Sequence, residues 1–255
     1  MPAMSLPLEN LHAVVTGGSR GIGAAVARRL AAMGASVTVV GRTREPLEAF
    51  AAELAAEHGR PTHAAPADVT DRAAVEAAFA SAREALGPVA VLVNNAGAVE
   101  SVPFLQLTEE RWQALIDVNL TSAFRCTQHA LPDMIAAGWG RVVNVASVAG
   151  VTGAPYVSGY VAAKHGLVGL TRSLAVEFAR KGVTVNAVCP GYVDTDLVTH
   201  SVEALHEKTG RSSDELRDAL VRHNPVGRML TADEVASSVA WLCHPEQAMV
   251  TGHAL

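Results

Sequence analysis

The chain has 255 residues, a hydrophobic fraction of 49% and a formal net charge of −5. That length suits one large α/β domain with a full core, and no apolar run approaches the roughly 18 to 20 residues that span a bilayer. The basic residues are scattered along the chain, which argues against nucleic acid as the main partner. Met1 to Asn10 has neither a basic start nor an apolar h-region, so the expected location is cytoplasmic. Cys126, Cys189 and Cys243 are widely spaced and odd in number, as expected of thiols in a reducing cytosol and not of a disulfide framework. The ten histidines contain no HExxH pair, and no metal is expected.

From Leu11 onward short apolar runs alternate with longer helical patterns. The runs predict strands at His12–Thr16, Ser36–Val40, Thr62–Ala65, Val89–Asn94, Arg141–Ala146 and Val183–Cys189. Between them the spacing predicts helices near Gly21–Met33, Arg44–His58, Asp71–Leu86, within Glu109–Ala137, and over Tyr156–Lys181. This alternation predicts an α/β fold, a doubly wound and mainly parallel sheet with helices on both faces. No linker or repeat divides it, so residues 1–255 read as a single domain. Thr231 and Glu234 have capping-box spacing and start a late helix.

The first strand runs into Thr16-Gly17-Gly18-Ser19-Arg20-Gly21-Ile22-Gly23, and a helix begins at once. Glycines there permit a tight turn and let the backbone approach a pyrophosphate, which then sits at the positive end of the helix. Gly17, Ser19, Arg20, Gly21, Ile22 and Gly23 are therefore candidate cofactor-binding residues. At the end of the second strand, a carboxylate would select NAD through the ribose 2′-OH and an arginine would accommodate a 2′-phosphate. This chain has Gly41 and Arg42 there, and Arg20 lies inside the glycine loop. Two guanidinium groups clamping one phosphate favour NADP(H), with NAD(H) possible if both arginines are merely solvated.

Chemistry concentrates later, in Ser147, Tyr160 and Lys164. Tyr160 and Lys164 are one helical turn apart and project from one face. Ser147 closes a β-branched run, at the strand edge where open parallel sheets bind ligands. A phenol with a pKa of about 10 is a poor proton donor near neutrality unless a cation favours its anion. At about 4 Å and an effective dielectric of about 20, Lys164 would supply about 4 kcal/mol, bringing Tyr160 to about neutrality.

TGGSRGIG, Asp68-Val69, Asn94-Asn95-Ala96-Gly97, Asn119, Ser147, YVAAK and Pro190-Gly191 occur here in one order. In this the chain resembles the single-domain short-chain dehydrogenase/reductases, from about Leu6 to its end. The resemblance implies a Rossmann-like fold in which Asp68 and Val69 hold the adenine and Asn94, Ala96 and Gly97 line the nucleotide. It further implies that Tyr160 and Lys164 also touch the cofactor, Lys164 at the nicotinamide ribose, and that Asn119 holds a water in a proton relay. The turn with Pro190, Gly191, Val193 and Thr195 would cover the nicotinamide. The expected activity is NAD(P)-dependent hydride transfer between a ketone and a secondary alcohol. The substrate is a small molecule, a 3-oxoacyl thioester or similar carbonyl compound ahead of a small alcohol, polyol or steroid. A non-catalytic nucleotide sensor would have lost one of Ser147, Tyr160 and Lys164, and an enoyl reductase would carry its tyrosine at another spacing than Tyr156 offers.

The polar stretch 197–224 is longer than a simple connection needs and reads as a substrate lid. By resemblance the helices within Glu109–Ala137 and Tyr156–Lys181 are subunit faces of a homotetramer, or of a homodimer. Thr251 to Leu255 reads as the start of a final strand, where members of that family continue through a short VDGG-like tail.

Overall fold

The computed structural model describes residues 6–222 and 224–255. Within the expected lid, residue 223 and the side chains at 197, 200, 204, 205, 208 and 209 lie outside the described residues, as do the first five residues of the chain. The strands are β1 (His12–Thr16), β2 (Ser36–Gly41), β3 (Thr62–Pro66), β4 (Val89–Asn94), β5 (Gly140–Val145) and β6 (Val183–Val188). They form one six-stranded sheet in the order β3-β2-β1-β4-β5-β6. Every pairing within it is parallel. β1 lies between β2 and β4, so the strand order reverses beside it and a crevice opens at the carboxyl ends of the strands.

Parallel strands buried on both faces need apolar residues at successive positions, and β1, β5 and β6 are buried along their whole length. Val14 and Val15 enter opposite layers. On one side the core joins Val15, Val37, Val39 and Val91 to α1 (Gly21–Ala32), α2 (Arg44–His58) and a late helix. On the other, Val14, Leu92, Val142 and Val185 meet α3 (Arg72–Leu86) through Val75 and Phe79. β3 is an edge strand and ends in Pro66, where a missing N–H costs no ladder bond. Asp71 caps α3, accepting from the N–H groups of Ala73 and Ala74.

Three expectations change in detail. The long helix within Glu109–Ala137 is α4 (Glu109–Ile116), one widened π turn at Asp117–Thr121 and α5 (Ser122–Ala137). Helix α6 spans Ser158–Phe178 and begins later than Tyr156. Tyr156 has φ of 64°, outside the helical region, and its carbonyl accepts from the Val102 N–H at 2.6 Å. The final strand is a short pairing in which Ala254 bridges Ala187 in parallel and the Leu255 N–H donates to the Ala187 carbonyl at 3.0 Å. After β6 come α7 (Asp196–Thr209), α8 (Ser213–Val221) and α9 (Ala232–Cys243). Thr231 and Glu234 make the expected capping box at α9.

His12 opens β1 at 2% exposure. Its Nδ1 lies 2.8 Å from the Gly87 carbonyl and so must carry the proton, leaving Nε2 to accept from the Thr38 hydroxyl at 2.8 Å. Burial holds its pKa below the ordinary histidine value, and the same cause lowers His63 and His129. The folded state therefore binds fewer protons than the unfolded chain. The stability these neutral rings contribute is intact above about pH 6.5 and is lost as pH falls through the lowered folded values. The unfolding midpoint should drop between pH 7 and pH 5, and the drop should be shallower in His12→Asn whatever its starting midpoint. An equal slope in the variant would remove His12 from the account.

Candidate active site

The glycine turn joins β1 to α1. Gly17 has φ of +61°, and a Cβ on Gly23 would lie 2.0 Å from the Gly17 carbonyl oxygen, so α1 can start this close only without a side chain there. Asn95 braces the turn from across the sheet: its Nδ2 donates to the carbonyls of Thr16 and Gly17 at 3.0 and 3.1 Å. Thr16 Oγ1 accepts from the N–H groups of Asn95 and Ala96 at 3.0 and 3.1 Å. No side chain caps α1 and no acid stands in its first turn. Its N-terminal N–H groups and positive dipole end thus face the crevice without a competing carboxylate, which fits a pyrophosphate.

Arg20, at the N-cap position of α1, and Arg42, just after β2, are both exposed. Ser19 and Ile22 are half-buried, with Ile22 packed on the core. Asp68 Oδ1 accepts from the Thr70 N–H at 2.9 Å and the Thr70 hydroxyl at 2.7 Å. Those two bonds, with a further pull from Arg42, hold its carboxyl below the usual carboxylate range. Val69 beside it is buried. Asn94 differs from the other expected nucleotide residues. Its buried Nδ2 donates to Thr127 Oγ1 at 3.1 Å and Asn144 Oδ1 at 2.8 Å, tying β4 to β5 and α5. Ala96 and Gly97 follow at the strand's end.

Ser147 leaves β5 in an extended conformation, and its Oγ accepts from the Ala149 N–H at 3.1 Å. The Ser147 hydroxyl faces the Tyr160 phenol closely enough to favour its anion. Lys164, one turn further along α6, is 4% exposed; its Nζ donates to the Val145 carbonyl at 2.8 Å and stands 5.6 Å from the Tyr160 ring centroid. Burial pushes the Lys164 pKa down to about 8. The expected fall of Tyr160 toward neutrality needs correction. Burial raises the phenol's pKa, the nearby Ser147 hydroxyl opposes the rise, and Tyr192 and Cys189 add to it. The physical reason is that the ammonium engages a carbonyl and the ring face, while both groups lose solvent.

Asn119 lies in the π turn, buried, and grips the neighbouring loop. Its Nδ2 donates to the carbonyls of Ala98 and Leu115 at 2.8 and 2.9 Å, and its Oδ1 accepts from the Ala98 N–H at 3.2 Å. A Cβ on Gly97 would sit 2.7 Å from Asn119 Oδ1 and 3.6 Å from Lys164 Nζ. Gly97 thus lets Asn119 and Lys164 converge. On the far side, the Val148 N–H donates to the Pro190 carbonyl at 2.9 Å, and Val193 is buried. A Cβ on Gly21 would lie 3.4 Å from Thr195 Cγ2, so the Pro190–Thr195 turn faces the glycine turn.

The structure therefore gathers Ser147, Tyr160, Lys164 and Asn119 beside the cradle made by Gly17, Gly21, Gly23 and Gly97. Residues 11–206 match the model of the short chain dehydrogenase family. The chain belongs to that family. It is 35% identical over 252 residues to 3-oxoacyl-acyl-carrier-protein reductase FabG of Aquifex aeolicus, covering 99% of this chain and 97% of that protein. It is 40% identical to D-beta-hydroxybutyrate dehydrogenase of Cupriavidus necator over 247 residues, 96% of this chain and 95% of the relative. A variant of actinorhodin polyketide ketoreductase, solved with NADPH, superposes with a TM-score of 0.91 at 40% identity, covering 96% of this chain and 94% of that one. This short-chain dehydrogenase is an oxidoreductase acting on CH–OH groups, and its doubly wound sheet is the Rossmann-like fold the sequence led one to expect.

Sequence reasoning missed what Asn95 and Asn224 do. Both brace turns through partners distant along the chain, 79 residues away for Asn95 and Thr16 and 32 for Asn224 and Tyr192, and no local spacing signals either. It also passed over Cys189 and Tyr192, whose groups act on the Tyr160 phenol. Their only sequence signal is their position at the end of β6.

Proposed function

We propose that this short-chain dehydrogenase is an NADP-preferring reductase of 3-oxoacyl thioesters and related ketones. The observation that carries the reading is buried Lys164, its Nζ bonded to Val145 at 2.8 Å and 5.6 Å from the Tyr160 ring centroid, beside Ser147 at the same sheet edge as the glycine cradle. The nicotinamide cofactor supplies the hydride; the protein holds the ketone and manages the proton. Ser147 Oγ accepts from Ala149, and its O–H, directed at the Tyr160 phenol, would turn to donate to the developing alkoxide. Tyr160 delivers the proton to that oxygen. Lys164, titrating at about 8, restores it through the region where Asn119 fastens the Ala98 loop.

Gly17, Ser19, Gly21, Ile22 and Gly23 would cradle the pyrophosphate, Asp68 and Val69 the adenine, Ala96 and Gly97 the adjoining ribose. Pro190, Gly191, Val193 and Thr195 would cover the nicotinamide. Arg20 and Arg42 would clamp the 2′-phosphate. Charge-assisted bonds of this kind contribute about 1.5–3 kcal/mol, so Arg42→Ala should lower the NADPH-over-NADH preference about tenfold or more. Residues 197–224 would serve as the lid, with Arg217 bonded to Asp194 at 3.3 Å and Thr199 at 2.9 Å. Exposed Val176 on α6 and Phe124 on α5 suit packing against a second copy in a cytoplasmic homotetramer or homodimer. Gel filtration at the monomer mass would remove that part. Among the described residues no helix is long and apolar enough to cross a membrane.

The test is the initial rate of cofactor oxidation with an acetoacetyl thioester, using NADPH and NADH separately. Fast turnover with NADPH alone is expected. Good turnover of a polyol with none of the thioester would reassign the substrate, and equal rates with both cofactors would dismiss the arginine clamp.

A further inference from the structure

We propose that Asn224 is a positioning residue that holds the Pro190–Thr195 turn against the nicotinamide half of the cofactor; the inference rests on the cofactor reading above. Asn224 follows α8 in a polar stretch, yet it is only 4% exposed. Its Oδ1 accepts from the Tyr192 N–H at 2.9 Å, and its Nδ2 donates to the Tyr192 carbonyl and the Arg228 carbonyl, both at 2.8 Å. The amide thus exchanges both bonds with one residue, as the peptide group of a paired strand would. Backbone takes over the same ladder further along: the Leu230 N–H donates to the Tyr192 carbonyl at 2.9 Å and the Asp194 N–H to the Leu230 carbonyl at 2.8 Å.

Asn224 is itself anchored, its N–H donating to the Val221 carbonyl and its carbonyl accepting from the Gly227 N–H, each at 2.9 Å. Gly191 supplies the complementary surface. A Cβ there would stand 2.3 Å from Asn224 Oδ1, and among the described residues, the chain neighbours of Gly191 aside, no atom outside Asn224 comes within 4 Å. The absent side chain at 191 is therefore the space the Asn224 amide fills. Truncating Asn224 leaves the Tyr192 N–H without this partner, whereas the Tyr192 carbonyl keeps Leu230. The turn loses its hold where it runs toward Thr195 and the glycine loop.

An effect confined to one half of the cofactor separates this role from general stabilisation. Dissociation constants should be measured for NADPH and for 2′,5′-ADP, which lacks the nicotinamide half. In Asn224→Ala, NADPH should weaken at least about tenfold and 2′,5′-ADP stay within about twofold. Gly191→Ala, which drives a methyl into Oδ1, should show the same asymmetry. Asn224→Asp keeps the acceptor but aims a carboxylate at two carbonyls, and only its protonated form donates to one of them. Its NADPH affinity relative to wild type should therefore recover from pH 8 to pH 5.5, while the Asn224→Ala ratio stays flat. If Asn224→Ala does not fold, the aspartate variant decides by the same pair of ligands. Equal weakening of both ligands, or no weakening of NADPH, overturns the positioning role. Wild-type protein that binds neither ligand overturns the cofactor reading and this inference with it.

Discussion

Tyr160→Phe is expected to lower kcat for ketone reduction by at least about a hundredfold, the usual contribution of a positioned proton donor. The substitution removes one oxygen from a ring that is otherwise held by its neighbours. The Lys164 bond to Val145 does not pass through that oxygen, and neither does the Ser147 bond to Ala149. NADPH affinity should therefore stay within about threefold of wild type. That split, lost turnover with retained binding, is what a proton-transfer role requires. A variant keeping more than about a tenth of the turnover would remove Tyr160 from the chemistry. Because burial raises the phenol's pKa and lowers that of Lys164 to about 8, the pair is uncharged over much of the alkaline range. A neutral phenol is the form that can donate.

Gly23→Ala carries the second large effect, in the opposite pattern. A methyl at residue 23 would meet the Gly17 carbonyl oxygen at 2.0 Å, its carbonyl carbon at 2.8 Å and Asn95 Nδ2 at 2.6 Å. None of these is the free end of a flexible side chain: two are backbone, and the third is pinned by bonds to Thr16 and Gly17. Either α1 moves away from β1 or the turn opens, at a cost of about 1–3 kcal/mol for overpacking. The loss of nucleotide affinity should be larger, about a hundredfold, because the anion is held by N–H groups whose positions the turn sets. Calorimetric titration with NADPH and a thermal melt of the ligand-free protein would give both numbers. Affinity within threefold of wild type would mean that phosphate does not sit at this turn.

Much of the fold was legible because its signals are local. The runs at β1 and β4 and the helix over Arg44–His58 stand at their predicted bounds. The break at Asp117–Thr121 was not legible, since the helical pattern within Glu109–Ala137 gives no stop there and the Ala98 loop that Asn119 grips is brought beside it only by folding. Nor was the start of α6: nothing local to Tyr156 announces a positive φ, which goes with the Val102 bond from a different loop. In the candidate site, the spacing of Tyr160 and Lys164 put both on one helical face, and the glycine pattern marked its turn. Asn94 shows the limit of motif reading, for its side chain serves the sheet interior.

By itself the sequence determined the alternation of strands and helices, the types of the candidate groups Ser147, Tyr160 and Lys164, and their order along the chain. These follow from the backbone's own periods and from side-chain types. The tertiary structure decided the state of those groups. Lys164 on one helical turn could have been a solvated ammonium beside a phenol; covered by the sheet edge, it bonds Val145 and titrates at about 8. The direction of the Tyr160 shift reversed for the same reason, since desolvation depends on what other elements lay over a residue. Asn95 and Asn224 acquired their work only when folding brought partners tens of residues away within 3 Å of their amides. Spacing along the chain fixes which face a side chain leaves from, and only packing fixes how much water it keeps.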